Sequence, residues 1–282
     1  MNTLFSLSNG KWIENNQPLI LPDNRAFRYG EGLFETMLMQ GAKIPLFDLH
    51  WQRLTNDLPK LYFNLPVHFT KEYLLEQIER LCRKNKLTEA ARVRLTIFKG
   101  EGGIWEEPSS SFNWLLQCWS LPKTKPELNV NGLDIGVFEA GRKACDQFSN
   151  IKSNNYLIYA LAAQYAKSNH WNEAIVLNQH NRICDTTIAN IFFIKNNSFY
   201  TPSLSEGCVN GVMRTYLIDQ LRKQNRAITE GAFSVSDLLE ADEVFLTNAV
   251  QGLRWVKSFG MRTYTCQRTA DVFHAFVDLL MR

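Results

Sequence analysis

The sequence predicts an α+β protein of two domains, on three observations. The 282 residues exceed the usual single-domain size of about 100–150 residues. Strand-like and helical stretches alternate irregularly, unlike the regular βαβ repeat of a doubly wound sheet. The stretch Leu121–Leu128 combines two prolines with several charges, as linkers do. We therefore predict an N-terminal domain at 1–120, a linker at 121–131 and a C-terminal domain at 132–282.

The spacing of hydrophobic residues predicts the elements in chain order. In the first domain they are a strand, two helices and two further strands: Ile44–Phe47, Leu49–Leu61, Lys71–Lys86, Ala91–Lys99 and Trp114–Trp119. In the second they are a strand, a helix, three strands and a last helix: Leu133–Phe138, Tyr156–Lys167, Glu173–Leu177, Ile183–Asp185, Ile191–Ile194 and 211–223. Turn residues between those three strands predict a meander of hairpins.

Composition excludes several classes of function. Hydrophobic residues make up 45% of the chain and charged residues 21%, which is typical of a folded globular protein. The net charge of +3 is spread along the chain, so no basic stripe indicates a nucleic-acid partner. We find no apolar run long enough to span a membrane and no secretory signal. Six scattered cysteines and five scattered histidines indicate reduced thiols in the cytoplasm and no metal site.

Lys152 is a candidate for covalent chemistry. It lies in the polar stretch Ser149–Asn155, between a predicted strand and a predicted helix. A loop packed between two elements can desolvate an amine, as a lysine Schiff base requires. The alternative is a solvated surface amine, because lysine is rarely buried.

Two further segments contain candidate binding residues. The loop Gly207–Arg214 opens a helix, where glycine lets a ligand approach and unpaired N–H groups can hold an anion. The same glycines could equally form an ordinary turn. Asp185 lies in a predicted strand although strands disfavour Asp, so we expect a partner for it, unless the residue marks a hairpin turn.

These segments, in this order, resemble the fold-type IV pyridoxal-phosphate enzymes. This class-IV aminotransferase family includes branched-chain aminotransferases, D-amino-acid aminotransferases and aminodeoxychorismate lyases. The similar motifs cover nearly the whole chain: Asp23–Thr36, Leu49–Leu54, Lys152 with Asn155–Leu157, Asn190–Phe192, Tyr200–Pro202, Val209–Arg214 and Phe245–Ala249. The resemblance implies a D-amino-acid aminotransferase-like fold, with a small N-terminal α/β sandwich and a larger, barrel-like C-terminal α+β domain.

The resemblance also implies roles around pyridoxal 5′-phosphate. Lys152 forms the internal aldimine and moves the proton, and Tyr156 donates a hydrogen bond to the ring O3′. Asp185 occupies the position of a family glutamate that pairs with the ring nitrogen, which keeps the ring an electron sink. Aspartate is one methylene shorter than glutamate.

The phosphate contacts come from another set of residues: Arg53, Gly211, Val212, Met213, Asn248 and Ala249. Arg53 grips the phosphate with its guanidinium, and the N–H groups of Val212 and Met213 bind further oxygens at the helix start. Met213 stands where aminotransferases of the family often have a threonine. The backbone around Asn248 and Ala249 touches phosphate or substrate.

The substrate is expected to be a small carboxylated amine. Arg94 aligns with a family position that faces the active site, and strand alternation puts Arg92 on the same face. Either arginine could bind the substrate carboxylate, and both could instead lie on a solvated strand face. The resemblance makes Tyr29, Glu35 and Thr36 further residues of the substrate pocket.

The motifs Val209–Arg214 and Phe245–Ala249 look more like those of aminodeoxychorismate lyases than those of branched-chain aminotransferases. We therefore predict a lyase that releases pyruvate and 4-aminobenzoate, in the branch that leads to folate. A branched-chain or D-amino-acid aminotransferase is the alternative, since it uses the same residues. A catalytically silent relative is the third possibility. Relatives are homodimers, so we expect a homodimer.

Overall fold

The structure of the chain is a computed structural model, which describes residues 4–41, 43–122 and 127–281. It divides into two compact units, Met1–Lys123 with Lys152–Asn155 and Thr124–Ile151 with Tyr156–Arg282. A short piece from within the predicted domain at 132–282 thus groups with the first unit. Part of the predicted linker, residues 123–126, lies outside the described residues.

The first unit is built on a five-stranded antiparallel sheet in the order β2-β1-β5-β4-β3. Asn9 and Gly10 both have positive φ, as the tight turn between β1 and β2 requires. The elements of this unit are β1 (Phe5–Ser8), β2 (Lys11–Glu14), α1 (Arg25–Tyr29), β3 (Gly32–Gln40), α2 (Phe47–Asp57), α3 (Lys71–Lys84), β4 (Ala90–Phe98) and β5 (Asn113–Ser120).

The helices of the first unit pack by their apolar faces. Leu74, Ile78 and Leu81 line one face of α3 and are fully buried, as their i, i+4, i+7 spacing predicts. The predicted strand Ile44–Phe47 is wrong, because α2 already begins at Phe47. Pro45 has no N–H group for a sheet, so the pattern there did not indicate a strand after all.

The segment that contains Lys152 pairs with β3 at the edge of this sheet. The N–H of Phe34 donates to the carbonyl of Lys152, and the N–H of Asn154 donates to the carbonyl of Gly32, both at 2.9 Å. Gly32 makes this approach possible. A Cβ atom there would lie 2.3 Å from Nδ2 of Asn154 and 2.5 Å from the carbonyl oxygen of Ile97.

The second unit contains a nine-stranded sheet in the order β11-β10-β9-β12-β13-β6-β7-β8, with β14 paired to β13. Its elements are β6 (Leu133–Lys143), α4 (Leu157–Ser168), β7 (Glu173–Asn178), β8 (Ile183–Thr186), β9 (Asn190–Lys195), β10 (Ser198–Pro202), α5 (Val212–Lys223), β11 (Ile228–Gly231), α6 (Val235–Leu239), β12 (Glu243–Asn248), β13 (Gly252–Phe259), β14 (Arg262–Thr263) and α7 (Gln267–Val272). The predicted meander is wrong at one place, since β9 pairs with β10 and β12 and not with β8.

This sheet curls around its own core. Ile183 of β8 and Ile191 of β9 belong to one buried cluster, although several strands separate them in the sheet order. A sheet whose distant strands share a core must curve, as in a partial barrel. On the other face, α4 buries Ala162 against Ala174 and Val176. Within the described part of the chain, no helix is long and apolar enough to cross a membrane.

We predict that Gly32→Ala destabilises the protein by roughly 1–3 kcal/mol, the usual cost of overpacking. The added methyl would push the Asn154 side chain away from β3. Gly41→Asn, just beyond the other end of the same strand, is the control. Gly41 has φ of 59°, a Cβ atom at this position would meet no atom within 4 Å, and asparagine tolerates this conformation. Thermal unfolding followed by circular dichroism measures both, and an equal melting temperature for Gly32→Ala and wild type would contradict the packing argument.

Candidate active site

Lys152 lies beside an arginine on a common aromatic ring in the first unit. Its Nζ is 4.5 Å from the centroid of Phe34, and the Cζ of Arg94 is 3.6 Å from the same centroid. Both cations are half-buried. The negative face of an aromatic ring attracts cations, so Phe34 helps to hold an amine and a guanidinium near each other.

Strand alternation decides which predicted substrate residues share this face. Thr36 is the register partner of Arg94, and opposed residues of an antiparallel pair point the same way. Glu35 therefore points to the other face, and the structure does not bring it together with Thr36 and Arg94. Arg92 is exposed and stacks on Trp119, with its Cζ 4.6 Å from the ring centroid. Of the two candidate arginines, only Arg94 lies beside Lys152.

Glu35 instead forms a buried cluster with two residues of α2. Nε of Arg53 donates to Oε1 of Glu35 at 2.8 Å, and Nη2 of Arg53 donates to Oε2. Nδ1 of His50 lies 2.6 Å from Oε2. All three side chains are less than a tenth exposed. Glu35 thus fixes the orientation of Arg53 by two of its five N–H donors.

The charges and hydrogen bonds of this cluster shift the pKa values of Glu35 and His50. Burial raises the pKa of Glu35, but the Arg53 charge and the hydrogen bond from His50 outweigh burial and lower the pKa to about 2. Burial lowers the pKa of His50; the hydrogen bond to Glu35 and the Glu35 charge raise it, but burial together with the Arg53 and Lys152 charges keeps it below its ordinary value. A neutral imidazole beside a carboxylate carries its proton on Nδ1. Its buried Nε2 then has no hydrogen-bond partner among the described residues.

Tyr29 is the last residue of α1 and does not belong to the strands that carry Phe34 and Arg94. Its half-buried ring lies 5.6 Å from the Cζ of Arg25 and 5.4 Å from the Cζ of Arg28. These cation contacts give the ring a local structural role, and its predicted place in the substrate pocket stays a prediction.

In the second unit, Asp185 is buried within a dense set of donors. Its Oδ1 accepts from Nδ2 of Asn190 at 2.8 Å, and its Oδ2 accepts from the Tyr159 hydroxyl at 2.7 Å and from the N–H of Val209 at 2.9 Å. The expectation that a strand aspartate has partners is therefore met. Tyr156 packs its ring against Tyr159, and its hydroxyl donates to the carbonyl of Thr187 at 3.3 Å.

The start of α5 adjoins this carboxylate. Asn190 also donates to the carbonyl of Val209, and its Oδ1 lies so close to Gly211 that a Cβ there would be only 1.9 Å away. Val212 and Met213 are the first helical residues, so their N–H groups have no partner within the helix. A side chain at position 211 would therefore have to displace the amide of Asn190.

Thr247 was not assigned by the sequence and lies beside the helix start. It is the register partner of Asn190, so the two side chains share a face. Its hydroxyl is buried and has no hydrogen-bond partner among the described residues. Asn248, the next residue, uses its own Oδ1 to accept from the N–H groups of Val250 and Gln251, which closes the turn that contains Ala249.

Taken unit by unit, these features fit parts of a phosphorylated pyridine cofactor. The helix start offers N–H donors, and the unpartnered hydroxyl of Thr247 offers one more for an anion. Asp185 offers a buried carboxylate, which suits a protonated ring nitrogen. A lysine amine with a neighbouring guanidinium suits an aldehyde and a carboxylate. Within each unit, the residues are of the kinds that a pyridoxal-phosphate enzyme acting on amines uses.

Comparison with solved structures confirms the predicted fold. The branched-chain amino acid aminotransferase of Escherichia coli superposes with a TM-score of 0.86 at 23% identity, covering 99% of this chain and 95% of that chain. An aminotransferase from Brucella abortus, solved with the cofactor PLP bound, superposes with a TM-score of 0.82 at 19% identity, covering 97% and 99%. The α+β, aminotransferase-like architecture is thus confirmed.

Sequence comparison identifies the family. The profile of the amino-transferase class IV family matches residues 32–259, and the chain belongs to that family. Aminodeoxychorismate lyase from Bacillus subtilis is 28% identical over 250 residues, which are 86% of this chain and 82% of the relative. Family membership confirms two predictions, that the chain is an enzyme and that its cofactor is pyridoxal 5′-phosphate.

Several residues of the site were missed by sequence reasoning. His50, three residues before the predicted Arg53 on one helix face, could have indicated a shared partner on a neighbouring strand. Tyr159, three residues after Tyr156, carried a similar local signal. Thr247 carried none, because its neighbour Asn190 comes from a distant part of the chain.

We predict that Glu35→Gln destabilises the protein by about 3 kcal/mol at pH 7, because it leaves Arg53 buried without its counter-charge. In wild type, a folded pKa of about 2 lies below the ordinary value of about 4.3. The stability from Glu35 is therefore complete above about pH 4.3 and is lost as the pH falls towards 2. Urea unfolding between pH 7 and pH 3 should show a shallower pH dependence in Glu35→Gln.

The control for this experiment is Glu72→Gln. Glu72 is exposed in the first turn of α3, so its replacement should change stability by less than about 0.5 kcal/mol. Equal pH dependence in wild type and Glu35→Gln would show that the buried cluster does not control acid stability.

Proposed function

We propose that the chain is an aminodeoxychorismate lyase, which releases pyruvate and 4-aminobenzoate from a small carboxylated amino substrate. The observation that carries the proposal is the pair of Lys152 and Arg94 on the ring of Phe34. It offers a proton-transferring amine beside a carboxylate-binding guanidinium. The lyase from Bacillus subtilis, at 28% identity, supports the choice of substrate. We also propose that the enzyme works as a cytoplasmic homodimer.

The roles of the residues follow from their chemistry. Pyridoxal phosphate, when bound, supplies an electron sink for negative charge at the carbon next to the amine. Lys152 removes the proton from that carbon. Arg94 holds the substrate carboxylate through its planar fork of donors, and Thr36 lies next to it on the same sheet face. A fixed carboxylate limits how the substrate can turn relative to Lys152.

The phosphate of the cofactor would be bound by side-chain and backbone donors. One donor would be the guanidinium of Arg53, whose orientation Glu35 fixes. The others would be the N–H groups of Val212 and Met213. Gly211 leaves the helix start accessible, and the backbone at Asn248 and Ala249 would add contacts. Glu35 thereby acts on Arg53 and not on the substrate.

Two more side chains would hold the pyridine ring. Asp185 would accept from its nitrogen, and the hydroxyl of Tyr156 would donate to its O3′. Asp185 is suited to this role because its buried carboxylate already has a fixed orientation. A carboxylate at the ring nitrogen keeps the ring protonated and electron-withdrawing.

An aminotransferase would use the same residues, so chemistry and not residue identity separates the two functions. A lyase releases pyruvate from its substrate and needs no acceptor for the amino group. An aminotransferase, whether for branched-chain or D-amino acids, needs a keto acid to regenerate the cofactor. The family contains both kinds of enzyme, and the assay must therefore follow products as well as the cofactor.

We predict that the purified protein takes up pyridoxal phosphate with a visible absorption band that Lys152→Ala lacks. With aminodeoxychorismate, wild type should form pyruvate and 4-aminobenzoate in equal amounts and without a keto acid. Turnover only with a keto-acid acceptor would replace the lyase proposal by an aminotransferase. A wild-type protein without the band would indicate a catalytically silent relative.

We predict that Arg94→Gln raises the KM for aminodeoxychorismate by about 10–100-fold, the usual effect of losing a charge-assisted hydrogen bond. Its affinity for pyridoxal phosphate should stay within about twofold. Arg92→Gln is the matched control, since Arg92 shares the sheet face but stacks on Trp119 and is exposed. Steady-state kinetics of both variants tests the assignment, which is wrong if Arg92→Gln has the larger effect.

A further inference from the structure

Asp185 belongs to a buried network with two residues that have no assigned role. Its Oδ2 accepts from the Tyr159 hydroxyl, and Nζ of Lys143 lies 3.6 Å from the same oxygen. Lys143 also donates to the Tyr159 hydroxyl, so the three side chains form a chain of donors that ends on the carboxylate. The side chain of Lys143 is 11% exposed and that of Asp185 only 3%. Lys143 therefore lies between the surface of the second unit and the buried carboxylate of Asp185.

The network supplies what a buried carboxylate needs. A buried charge is costly unless it is paired and hydrogen-bonded. Lys143 provides the opposite charge, and Tyr159, Asn190 and the N–H of Val209 provide direct hydrogen bonds. The Cys184 thiol lies 4.0 Å from Oδ2, and the Cys208 thiol donates to the carbonyls of Pro202 and Ser203. Burial raises the pKa of both thiols, so they stay protonated and neutral. Burial and the Asp185 charge likewise raise the pKa of Tyr159 well above its ordinary value, which keeps it a donor.

The hydrogen bonds also make the two carboxylate oxygens unequal. Among the described residues, Oδ2 accepts two short hydrogen bonds and lies near the Lys143 charge, whereas Oδ1 accepts one, from Asn190. Each carboxylate oxygen can accept about two hydrogen bonds, so the remaining capacity is on Oδ1. An outside donor would therefore meet Oδ1.

We propose that Lys143 and Tyr159 are positioning residues, which fix the orientation of the Asp185 carboxylate and turn its Oδ1 towards the ring nitrogen of the cofactor. The inference rests on the proposed function only in that the chain must bind pyridoxal phosphate. Aspartate is one methylene shorter than the glutamate of relatives, so a small rotation of its carboxylate changes the contact with the ring. Clamping Oδ2 from two sides prevents that rotation.

The test compares Tyr159→Phe, Lys143→Met and Asp185→Asn, singly and in pairs. Two readouts are used besides turnover: the dissociation constant of pyridoxal phosphate, and the pH dependence of the visible band of the loaded protein. Tyr159→Phe and Lys143→Met should each weaken cofactor binding about tenfold, the effect of losing one hydrogen bond to a charged group. Each should also shift the pH midpoint of the band. In the Asp185→Asn background the same substitutions should change either readout less than about twofold, because they act through Asp185.

Two control variants separate positioning from general damage. Tyr165→Phe removes a hydroxyl from the same helix, where the ring packs against Phe138 and Trp171, and should leave both readouts unchanged. Lys143→Arg keeps the positive charge and should retain the wild-type midpoint more closely than Lys143→Met. Far-UV circular dichroism checks that every variant is folded. If Lys143→Met does not fold, the inference is tested with Tyr159→Phe alone.

The outcomes are distinct. A band and an affinity that respond to neither Tyr159→Phe nor Lys143→Met would overturn the inference and leave the proposed function intact. Effects equally large in the Asp185→Asn background would overturn it too, because they would reflect structure alone. A wild-type protein that takes up no pyridoxal phosphate would overturn the proposed function and the inference together.

Discussion

The candidate site residues of the first unit depend on one constraint, the backbone pairing of Lys152 and Asn154 with β3. Peptide hydrogen bonds fix the position of the lysine backbone more strictly than a mobile loop could, and Gly32 permits the close approach. The amine then lies over Phe34 on the paired strand. Because side chains alternate along β3, the same strand presents Phe34 to one side and Glu35 to the other. One strand thus positions both the Lys152 amine and the buried ion pair of Glu35 and Arg53.

Both units stabilise a buried carboxylate in a related way. Glu35 has a cation, Arg53, and an imidazole donor, His50; Asp185 has a cation, Lys143, and a phenol donor, Tyr159. Burial penalises a lone charge, so each acid is surrounded by groups that also fix its orientation. The two carboxylates differ in how the cation contacts them. Arg53 contacts Glu35 directly through two donors, whereas the direct hydrogen bonds that Asp185 accepts from described residues come from neutral groups. Fixed dipoles and charges of this kind need no rearrangement during a reaction.

The departures from the family pattern have physical counterparts nearby. Met213 lacks the hydroxyl that aminotransferases often place at the helix start, and Thr247 offers a buried hydroxyl, unpartnered among the described residues, beside the same start. Asp185 is shorter than glutamate, and it accepts hydrogen bonds from Tyr159, Asn190 and the N–H of Val209. Each departure therefore has hydrogen-bonding groups next to it in the structure.

The sequence by itself determined the elements with strong periodicity, such as α3 and β4, and it pointed to Lys152, Arg53 and Asp185 through short motifs. Motifs and periodicity are local, so they survive without knowledge of the fold. It failed at Ile44–Phe47, where four residues are too few to distinguish a strand from the approach to a helix. Only the tertiary structure decided that Arg94 rather than Arg92 accompanies Lys152 and that Lys143 and Tyr159 surround Asp185. Those relations depend on strand register and on packing between distant segments, which no local pattern encodes.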